Sequence, residues 1–418
     1  MNALIKAATV IDSKSPHNGN VVDIRIKDGI ITEIASTLTP SKNEKTITFD
    51  DLKVSSGWFD TSVSIGEPGY EERETIKNGL KVAALSGFTG IAVNPNTNPI
   101  IDTSADVAFM MHKSAGNATE LFPIGALSRN SESVDLAELY DMQQSGAVAF
   151  GDYQKPVSNP NLLKIALQYT QGFDGLVLSF PQENDIAGKG QVNEGVMSTR
   201  IGLKGKPAIA ESLQVARDLH ILEYTGGKLH IPTISTKASV HLIADAKAKG
   251  LDVTSSAAIH NLFFTDDVLE DFNTNYKVTP PLRNQDDVEA LIQGIKTGVI
   301  DFVTSDHNPL DVERKHVEFD NATYGTISQE ATFGALLTLV SEKKAVKLLT
   351  QGRARFTNKE QSIVEGANAN LTLFSIKGSY TFSESDIKSK SKNAAFLGAK
   401  LKGKVYGIVN NNQIILND

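Results

Sequence analysis

The middle of this chain alternates between two kinds of segment, and that alternation limits the possible folds more than any other feature. Amphipathic stretches of helical period separate short apolar runs; residues 286–297, for example, place Val288, Leu291 and Ile295 on one face. Eight such repeats over about 300 residues match a closed (β/α)8 TIM barrel in number and size. The apolar runs lie at residues 58–63, 90–93, 121–124, 147–150, 175–178, 228–231, 251–254 and 302–304.

An open, doubly wound sheet would produce the same alternation. Such sheets commonly bind a dinucleotide at a GxGxxG turn after the first strand, and no such motif follows residues 58–63. The pattern therefore favours the barrel. Any chemistry is then expected on the loops at the carboxyl ends of its strands.

Both ends of the chain are rich in short β-branched runs separated by turn residues. Because chain termini often lie close together, these runs predict one small β-sandwich built from both ends. The predicted organisation is α/β, with residues 56–365 forming the barrel and residues 1–55 and 366–418 forming the composite β-sandwich. The runs lie at residues 4–11, 21–27, 29–34, 370–374, 395–397, 403–409 and 413–416.

Charge and composition exclude several classes of function. The 418 residues carry 49 acidic and 41 basic side chains without a Lys/Arg-rich block, and the net charge of -8 argues against nucleic-acid binding. The absence of cysteine excludes disulfides, thiolate zinc sites, iron–sulfur clusters and a cysteine nucleophile. No apolar run reaches the roughly 18 residues of a membrane span, and the first residues lack a signal-peptide core, so a cytoplasmic protein is expected.

Two glycine-rich motifs accompany the first two predicted barrel strands. Residues 57–69 read Gly-Trp-Phe-Asp-Thr-Ser-Val-Ser-Ile-Gly-Glu-Pro-Gly, and residues 87–99 read Gly-Phe-Thr-Gly-Ile-Ala-Val-Asn-Pro-Asn-Thr-Asn-Pro. Together with Pro-Pro-Leu-Arg at 280–283 and Ser-Asp-His-Asn-Pro at 305–309, they resemble the dihydroorotases of the amidohydrolase superfamily, whose patterns are GxxDxHxHLRxPG and GFTTxxxMPNTNP. The resemblance covers nearly the whole chain and implies a barrel beside a composite β-sandwich.

The resemblance also implies a zinc site, because these enzymes use one or two Zn²⁺ to activate water for attack on a cyclic amide. Four histidines supply most of the family's ligands, together with a carbamylated lysine or aspartate and a second aspartate that also acts as general base. Asp152 and Asp306 occupy the two acidic positions. Two carboxylates alone do not make a zinc site, so no metal cofactor is predicted. The histidine positions hold Ser62, Ser64, Phe180 (or Ser179) and Thr233.

The family's substrate contacts are partly lost as well. The arginine that binds the substrate carboxylate in the family is Gly66 here, and the histidine that closes the strand-eight motif is Leu310. Asn96 is retained, and Gly325 lies in the loop whose backbone normally bonds the substrate ring. Two interpretations of Asp306 stay open: a vestigial general base, or a residue that accepts backbone N–H bonds and so caps the chain leaving strand eight.

Three side chains near the predicted site can be interpreted either as ligands or as structural residues. Asp152 is interpreted as a hydrogen-bond acceptor for a loop rather than as a ligand. His230 and His260 lie at predicted strand ends and are candidates for substitute ligands. Isolated histidines usually find structural partners, so a structural role is favoured for both.

The loss of ligands beside retained glycines and prolines favours a dihydroorotase-like protein of pyrimidine biosynthesis that has lost catalysis and acts as a structural or regulatory subunit. Two alternatives remain. One is an active dihydroorotase or other cyclic amidohydrolase with an unorthodox site. The other is a protein that binds a small molecule in a residual pocket around Asn96, Asp152 and Asp306. The resemblance further implies aspartate carbamoyltransferase as a partner, and self-association into a homo-oligomer.

Overall fold

A computed structural model describes residues 1–417, and its strands form two eight-stranded sheets and one two-stranded ribbon. In chain order the strands are β1 (Ala3–Val10), β2 (Val21–Lys27), β3 (Ile30–Ala35), β4 (Lys45–Ile47), β5 (Lys53–Ser56), β6 (Trp58–Val63), β7 (Phe88–Val93), β8 (Glu120–Gly125), β9 (Ala149–Phe150), β10 (Leu176–Leu178), β11 (Val192–Asn193), β12 (Gly205–Lys206), β13 (Lys228–Ile231), β14 (Val253–Ala258), β15 (Phe302–Thr304), β16 (Leu371–Thr381), β17 (Lys400–Asn410) and β18 (Gln413–Leu416).

The helices alternate with the barrel strands. They are α1 (Ile76–Leu85), α2 (Ser104–Ser114), α3 (Leu139–Gln144), α4 (Pro160–Thr170), α5 (Asn184–Ala187), α6 (Val196–Ile201), α7 (Ile209–Thr225), α8 (Lys237–Ala248), α9 (Ile259–Phe263), α10 (Gln285–Thr297), α11 (Val312–Lys315), α12 (Gln329–Leu339), α13 (Glu342–Thr350) and α14 (Gly352–Thr357). Across residues 1–417, no helix has both the length and the apolar character needed to cross a membrane.

The central sheet is the predicted (β/α)8 barrel. Its strands run parallel in the order β6-β7-β8-β9-β10-β13-β14-β15, so each pairs with the next barrel strand along the chain. The barrel closes between its first and last strands, where the Ser64 N–H after β6 donates to the His307 carbonyl after β15 at 2.7 Å. Beside this seam the buried Asp60 carboxylate accepts hydrogen bonds from the hydroxyl groups of Thr304 and Ser305. The first and last strands are therefore joined by backbone and side-chain hydrogen bonds.

Strands from both ends of the chain form the second sheet, as predicted. Its order is β18-β17-β16-β5-β1-β2-β3, with β4 beside β1. The C-terminal strand β16 pairs antiparallel with β5, which joins the two ends. Ile5 and Ile24 from the first strands share one apolar cluster with Leu373 from β16. The additional β domain is thus a product of both termini.

One predicted strand is wrong. Residues 395–397 form a turn in the connection between β16 and β17. Phe396 is fully buried there, with its ring 5.2 Å from Phe263 and 4.9 Å from Phe264 on the barrel. The apolar character of this run reflects burial against the barrel, which local sequence does not distinguish from burial in a sheet.

Trp58 joins the two sheets. Its side chain is fully buried, and its ring contacts Phe88 on β7, Phe333 on α12 and Phe374 on β16 at centroid distances of 6.0, 4.6 and 5.5 Å. Tilted and edge-on aromatic pairs of this kind stabilise a core beyond the area that they bury. The barrel and the terminal sheet therefore share part of one core.

Candidate functional site

The carboxyl ends of the barrel strands surround a small cavity at the barrel mouth. Asp152 and Asp306 line it, whereas Asn96 and Gly325 do not. Ser64 does not line the cavity, but its hydroxyl oxygen accepts a hydrogen bond from Asn94, which does. The predicted site residues that do line the cavity are Ser62, Asp152, Phe180, Thr233 and Asp306.

The two serines at the first pair of histidine positions belong to a hydrogen-bond network with Asn94. Asn94 Nδ2 donates to Ser62 Oγ at 3.1 Å and to Ser64 Oγ at 3.3 Å, while Ser62 Oγ donates to Asp306 Oδ1 at 2.8 Å. Sequence analysis did not single out Asn94. Its position directly after the apolar run 90–93 places it at a strand end, which is the signal that could have identified it.

Asp306 does not cap the chain after β15, so that interpretation is wrong. Its carboxylate accepts from the hydroxyl groups of Ser62 at 2.8 Å and Tyr153 at 3.4 Å, and no backbone N–H within residues 1–417 donates to it. Burial raises its pKa to about 7; the Ser62 hydrogen bond opposes this rise, and the charge of Asp60 adds to it. A buried carboxyl group with a raised pKa thus lies at the position that the resemblance assigns to the general base.

Asp152 accepts hydrogen bonds from the loop after β8, as its sequence interpretation requires. Its carboxylate receives the backbone N–H groups of Leu127 and Ser128 at 2.9 and 3.1 Å and the Ser128 hydroxyl at 2.6 Å. Burial raises its pKa, and these hydrogen bonds oppose the rise. Because both oxygen atoms accept hydrogen bonds from this loop, Asp152 holds the loop in place.

Aromatic side chains narrow the barrel mouth. Phe180 is 4% exposed, and the Tyr153 hydroxyl reaches Asp306 while accepting from Gln154 Nε2 at 3.1 Å. The remaining cavity measures about 20 Å³. On the same measure about 10–15 Å³ holds one water molecule, whereas ligand pockets occupy roughly 300–1,000 Å³. The barrel mouth has room for one water molecule and not for a cyclic amide.

The residues at the mouth do not fit Zn²⁺. Zinc in proteins is held by thiolate, imidazole and carboxylate groups, usually four in number. Within residues 1–417, no group of three or more His, Asp or Glu side chains is close enough to share a metal ion. The hydroxyl groups of Ser62, Ser64 and Thr233 are poor ligands unless deprotonated, and Phe180 offers no donor atom.

Neither candidate substitute histidine reaches the cavity. His230 lies inside the barrel, where its ring nitrogens are 3.0 Å from Thr254 Oγ1 and 3.2 Å from Ser256 Oγ. His260, on α9, is buried, and neither ring nitrogen has a hydrogen-bond partner within residues 1–417. Burial lowers the pKa of each to about 3, so both are neutral at physiological pH. The structure gives His230 a structural role and brings neither histidine together with an acidic site residue.

Gly325 and Asn96, which the resemblance assigns to substrate binding, differ in whether their polar groups have partners within the protein. The Gly325 N–H donates to the Lys277 carbonyl at 2.9 Å, so it is already satisfied within the chain. Gly325 has a φ of +143°, and a Cβ there would lie 2.7 Å from Asn308 Nδ2. A side chain at this position would therefore strain the backbone and crowd Asn308. Asn96 Oδ1 is buried without a partner within residues 1–417.

The Pro-Pro-Leu-Arg motif and its neighbours serve the barrel rim. Arg283 is 2% exposed and donates to Ser235 Oγ and to Asn193 Oδ1, both at 3.0 Å. The carboxylate of Glu211 lies 3.6 Å from Arg283 Nη2 and accepts the backbone N–H groups of Ser235 and Thr236, each at 2.9 Å. These contacts give Arg283 a structural role at the barrel rim that does not depend on catalysis.

Lys206 on β12 is a second rim residue that sequence analysis missed. Its ammonium group donates to Gln182 Oε1 at 2.8 Å and Thr279 Oγ1 at 3.0 Å, and it lies 5.3 Å from the Tyr324 ring centre. Burial, with the charge of Arg283, lowers the pKa of Lys206 to about 8. Thr279 also accepts from Gln154 through its carbonyl at 3.1 Å. The rim is thus hydrogen-bonded to the residues that fill the mouth.

Comparisons of the sequence with known proteins identify close relatives along the whole chain. Residues 53–239 match the family described as dihydro-orotase-like. The chain is 37% identical to a protein named dihydroorotase from Acetivibrio thermocellus, and the match covers 99% of each chain. It is 39% identical to a protein of the same name from Caldicellulosiruptor saccharolyticus, covering 99% of this chain and 98% of that one.

Solved structures show the same fold. The L-hydantoinase (dihydropyrimidinase) from Arthrobacter aurescens matches with a TM-score of 0.87 at 20% identity, covering 100% of this chain and 96% of that one. A D-hydantoinase (dihydropyrimidinase) from Thermus sp. matches with a TM-score of 0.82 at 19% identity, covering 100% of this chain and 95% of that one. At these identities the likeness concerns the barrel and its additional β domain.

Proposed function

This chain belongs to the dihydroorotase-like family, and we propose that it is a member without hydrolytic activity that serves as a structural or regulatory subunit in pyrimidine biosynthesis. One observation carries the proposal: the positions of the metal ligands hold Ser62, Ser64, Phe180 and Thr233, around a cavity of about 20 Å³. Zinc would supply the activated water and polarise the substrate amide. The chain keeps the fold and offers neither the ligands nor the space for that chemistry.

The side chains at the mouth support this proposal by what they do instead. The acidic residues are engaged with neighbours: Asp152 with the loop after β8, and Asp306 with Ser62 and Tyr153. A general base must reach the proton that it removes. Asp306 has only a water-sized space beside it, so a bound substrate would require Tyr153 and Phe180 to move away.

A second candidate is a cyclic amide hydrolase with an unorthodox site. The names of the relatives favour it, because every match reported above carries the name dihydroorotase or hydantoinase. Asp306 favours it as well, since a buried carboxyl group with a pKa of about 7 could exchange a proton at neutral pH. This candidate requires a water nucleophile activated without the family's imidazole ligands and a mouth that opens for substrate.

Zinc content tests the proposed loss of the metal site. We expect less than about one zinc ion per ten chains after loading with Zn²⁺ and dialysis, because a structural zinc site draws on several imidazole or thiolate ligands. Elemental analysis of the purified protein measures it. The Asp306→Asn and Asp152→Asn variants should each retain the same residual zinc as the unmodified protein. Stoichiometric zinc that either substitution removes would contradict the proposal and support the second candidate.

We propose aspartate carbamoyltransferase as the partner, together with self-association, from the resemblance to complex-forming dihydroorotases. Apolar side chains on two neighbouring barrel helices support a protein-binding face. Ile165 and Tyr169 on α4 are 41% and 49% exposed, and Ile209, Leu213 and Tyr224 on α7 are 58%, 46% and 79% exposed. Exposed apolar groups of this kind on a monomer often mark an interaction surface.

Sedimentation of the two purified proteins tests the partnership. At micromolar concentrations we expect a complex that sediments faster than either protein alone. An Ile209→Lys/Tyr224→Lys double variant should abolish the complex, since a buried interface excludes unpaired charges. Val21→Lys, at a 59% exposed position on β2, is the matched control and should bind normally. Independent sedimentation of the unmodified proteins would contradict the scaffold role.

A further inference from the structure

A second cavity lies at the opposite end of the barrel from the mouth. It measures about 570 Å³ and is lined by Ser56, Gly57, Asp301 and Phe302, at the amino ends of β6 and β15. Residues 11–14, in the turn after β1, and residues of helices α13 and α14 complete its walls. We call it the basal cleft. Its volume falls within the roughly 300–1,000 Å³ of ligand pockets, which often lie where two domains meet.

The basal cleft is rich in cations, although the chain as a whole has a net charge of -8. Its carboxylates are already engaged. Asp301 accepts from Lys247 Nζ at 2.7 Å, Glu360 pairs with Lys14 at 2.7 Å, and Asp12 accepts the Ile363 N–H at 2.8 Å. Six basic side chains face these three carboxylates: Lys14, Lys343, Lys347, Arg353, Arg355 and Lys359.

The two arginines pair with carboxylates outside the cleft, Arg353 with Glu120 and Arg355 with Asp252, whereas the two cleft lysines on α13 have no such partner in the described part of the chain. Among residues 1–417, neither Lys343 nor Lys347 forms an ion pair, and they stand four residues apart on α13, where like charges destabilise a helix. Arg353 is 5% exposed, and the Nε atoms of Arg353 and Arg355 are buried without a hydrogen-bond acceptor. Buried donors without acceptors are rare in native proteins, because each loses its hydration without compensation.

We propose that the basal cleft binds a small, multiply charged anion. Such an anion would supply a counter-charge for Lys343 and Lys347 and reduce the repulsion between them. It would also connect α13 and α14 with residues 11–14, which line the same cleft in the turn after β1. Phosphate and carboxylate anions share the required chemistry. This site is separate from the barrel mouth and does not depend on the function proposed for it.

Isothermal titration of the full chain with two probes tests this site. Pyrophosphate and citrate represent the phosphate and carboxylate classes, and we expect at least one of them to bind. In a Lys343→Ala/Lys347→Ala variant the Kd should rise at least tenfold. The matched control is Lys77→Ala/Lys81→Ala, which removes two exposed charges at the same spacing on α1 and should change the Kd less than twofold.

The outcomes are distinct. Binding of pyrophosphate alone assigns a phosphate-bearing ligand, binding of citrate alone assigns a polycarboxylate, and binding of both assigns a general site for multivalent anions. Circular dichroism confirms that each variant is folded, as expected for alanine at exposed helix positions. The proposal is overturned if neither probe binds at millimolar concentration. It is also overturned if the two double variants weaken binding equally, because net charge alone would then explain the affinity.

Discussion

Purified protein should hydrolyse dihydroorotate no faster than buffer does, even after incubation with Zn²⁺. Zinc lowers the pKa of its bound water from 15.7 to about 7 and stabilises the oxyanion that forms on the amide. Losing the oxyanion stabilisation alone costs about 10²–10³ in rate, so we expect a rate at least about 10² below that of a zinc-loaded dihydroorotase assayed in parallel. Chromatographic measurement of the ring-opened product at neutral pH checks this expectation.

Two variants make that assay decisive. Ser62→His/Ser64→His should remain inactive, because Phe180 and Thr233 still supply no ligand and Asp152 is still engaged with Ser128. Asp306→Ala tests whether any turnover by the unmodified protein depends on the barrel mouth. If the unmodified protein turns over substrate and Asp306→Ala abolishes turnover, the barrel mouth is catalytic and the second candidate function is correct.

Asp306→Asn should stabilise the protein at pH 8 and have little effect near pH 4. Burial raises the pKa of Asp306 to about 7 in the folded chain, whereas an unfolded aspartate has a pKa of about 3.9. The folded state therefore binds the proton more tightly, and stability falls as pH rises from about 4 to about 7. Each tenfold difference in proton affinity corresponds to 1.36 kcal/mol. The free energy of unfolding of Asp306→Asn should therefore exceed that of the unmodified protein by about 2–4 kcal/mol at pH 8.

Thermal unfolding of both proteins between pH 5 and pH 8 measures this difference. Asparagine is a suitable replacement because Asp306 has a φ of 45°, a left-handed conformation that Asn tolerates. Asp271→Asn, at an exposed position, is the control and should shift the Tm equally at every pH. A Tm loss in Asp306→Asn that is the same at pH 5 and pH 8 would show that the folded protein needs the ionised carboxylate.

Periodicity was sufficient to predict the barrel, because burial on one side of an element repeats locally along the chain. Helix α10 illustrates this: the apolar face over 286–297 and the capping residue Asn284 both lie within one short segment, and the helix spans Gln285–Thr297. The seventh barrel strand shows the limit. It begins at Val253, two residues later than predicted, because the Leu251 N–H is bonded to the Ala246 carbonyl in the turn after α8.

The state of the barrel mouth could not be predicted from the sequence, because its contacts join residues far apart in the chain. Ser62 and Asp306 are 244 positions apart, yet their side chains lie 2.8 Å apart. The backbone-capping interpretation of Asp306 failed for this reason, since it considered only neighbouring residues. The same holds for 395–397, where an apolar run became a turn because Phe263 and Phe264 lie opposite Phe396.

The sequence by itself determined which donor atoms the mouth can offer, because the identity of a side chain does not depend on the fold. Ser62, Ser64, Phe180 and Thr233 provide no imidazole in any conformation. Only the tertiary structure decided how much space remains around them. Packing brings Tyr153 and Phe180 into that space and leaves about 20 Å³, because a volume is set by where distant loops place their side chains.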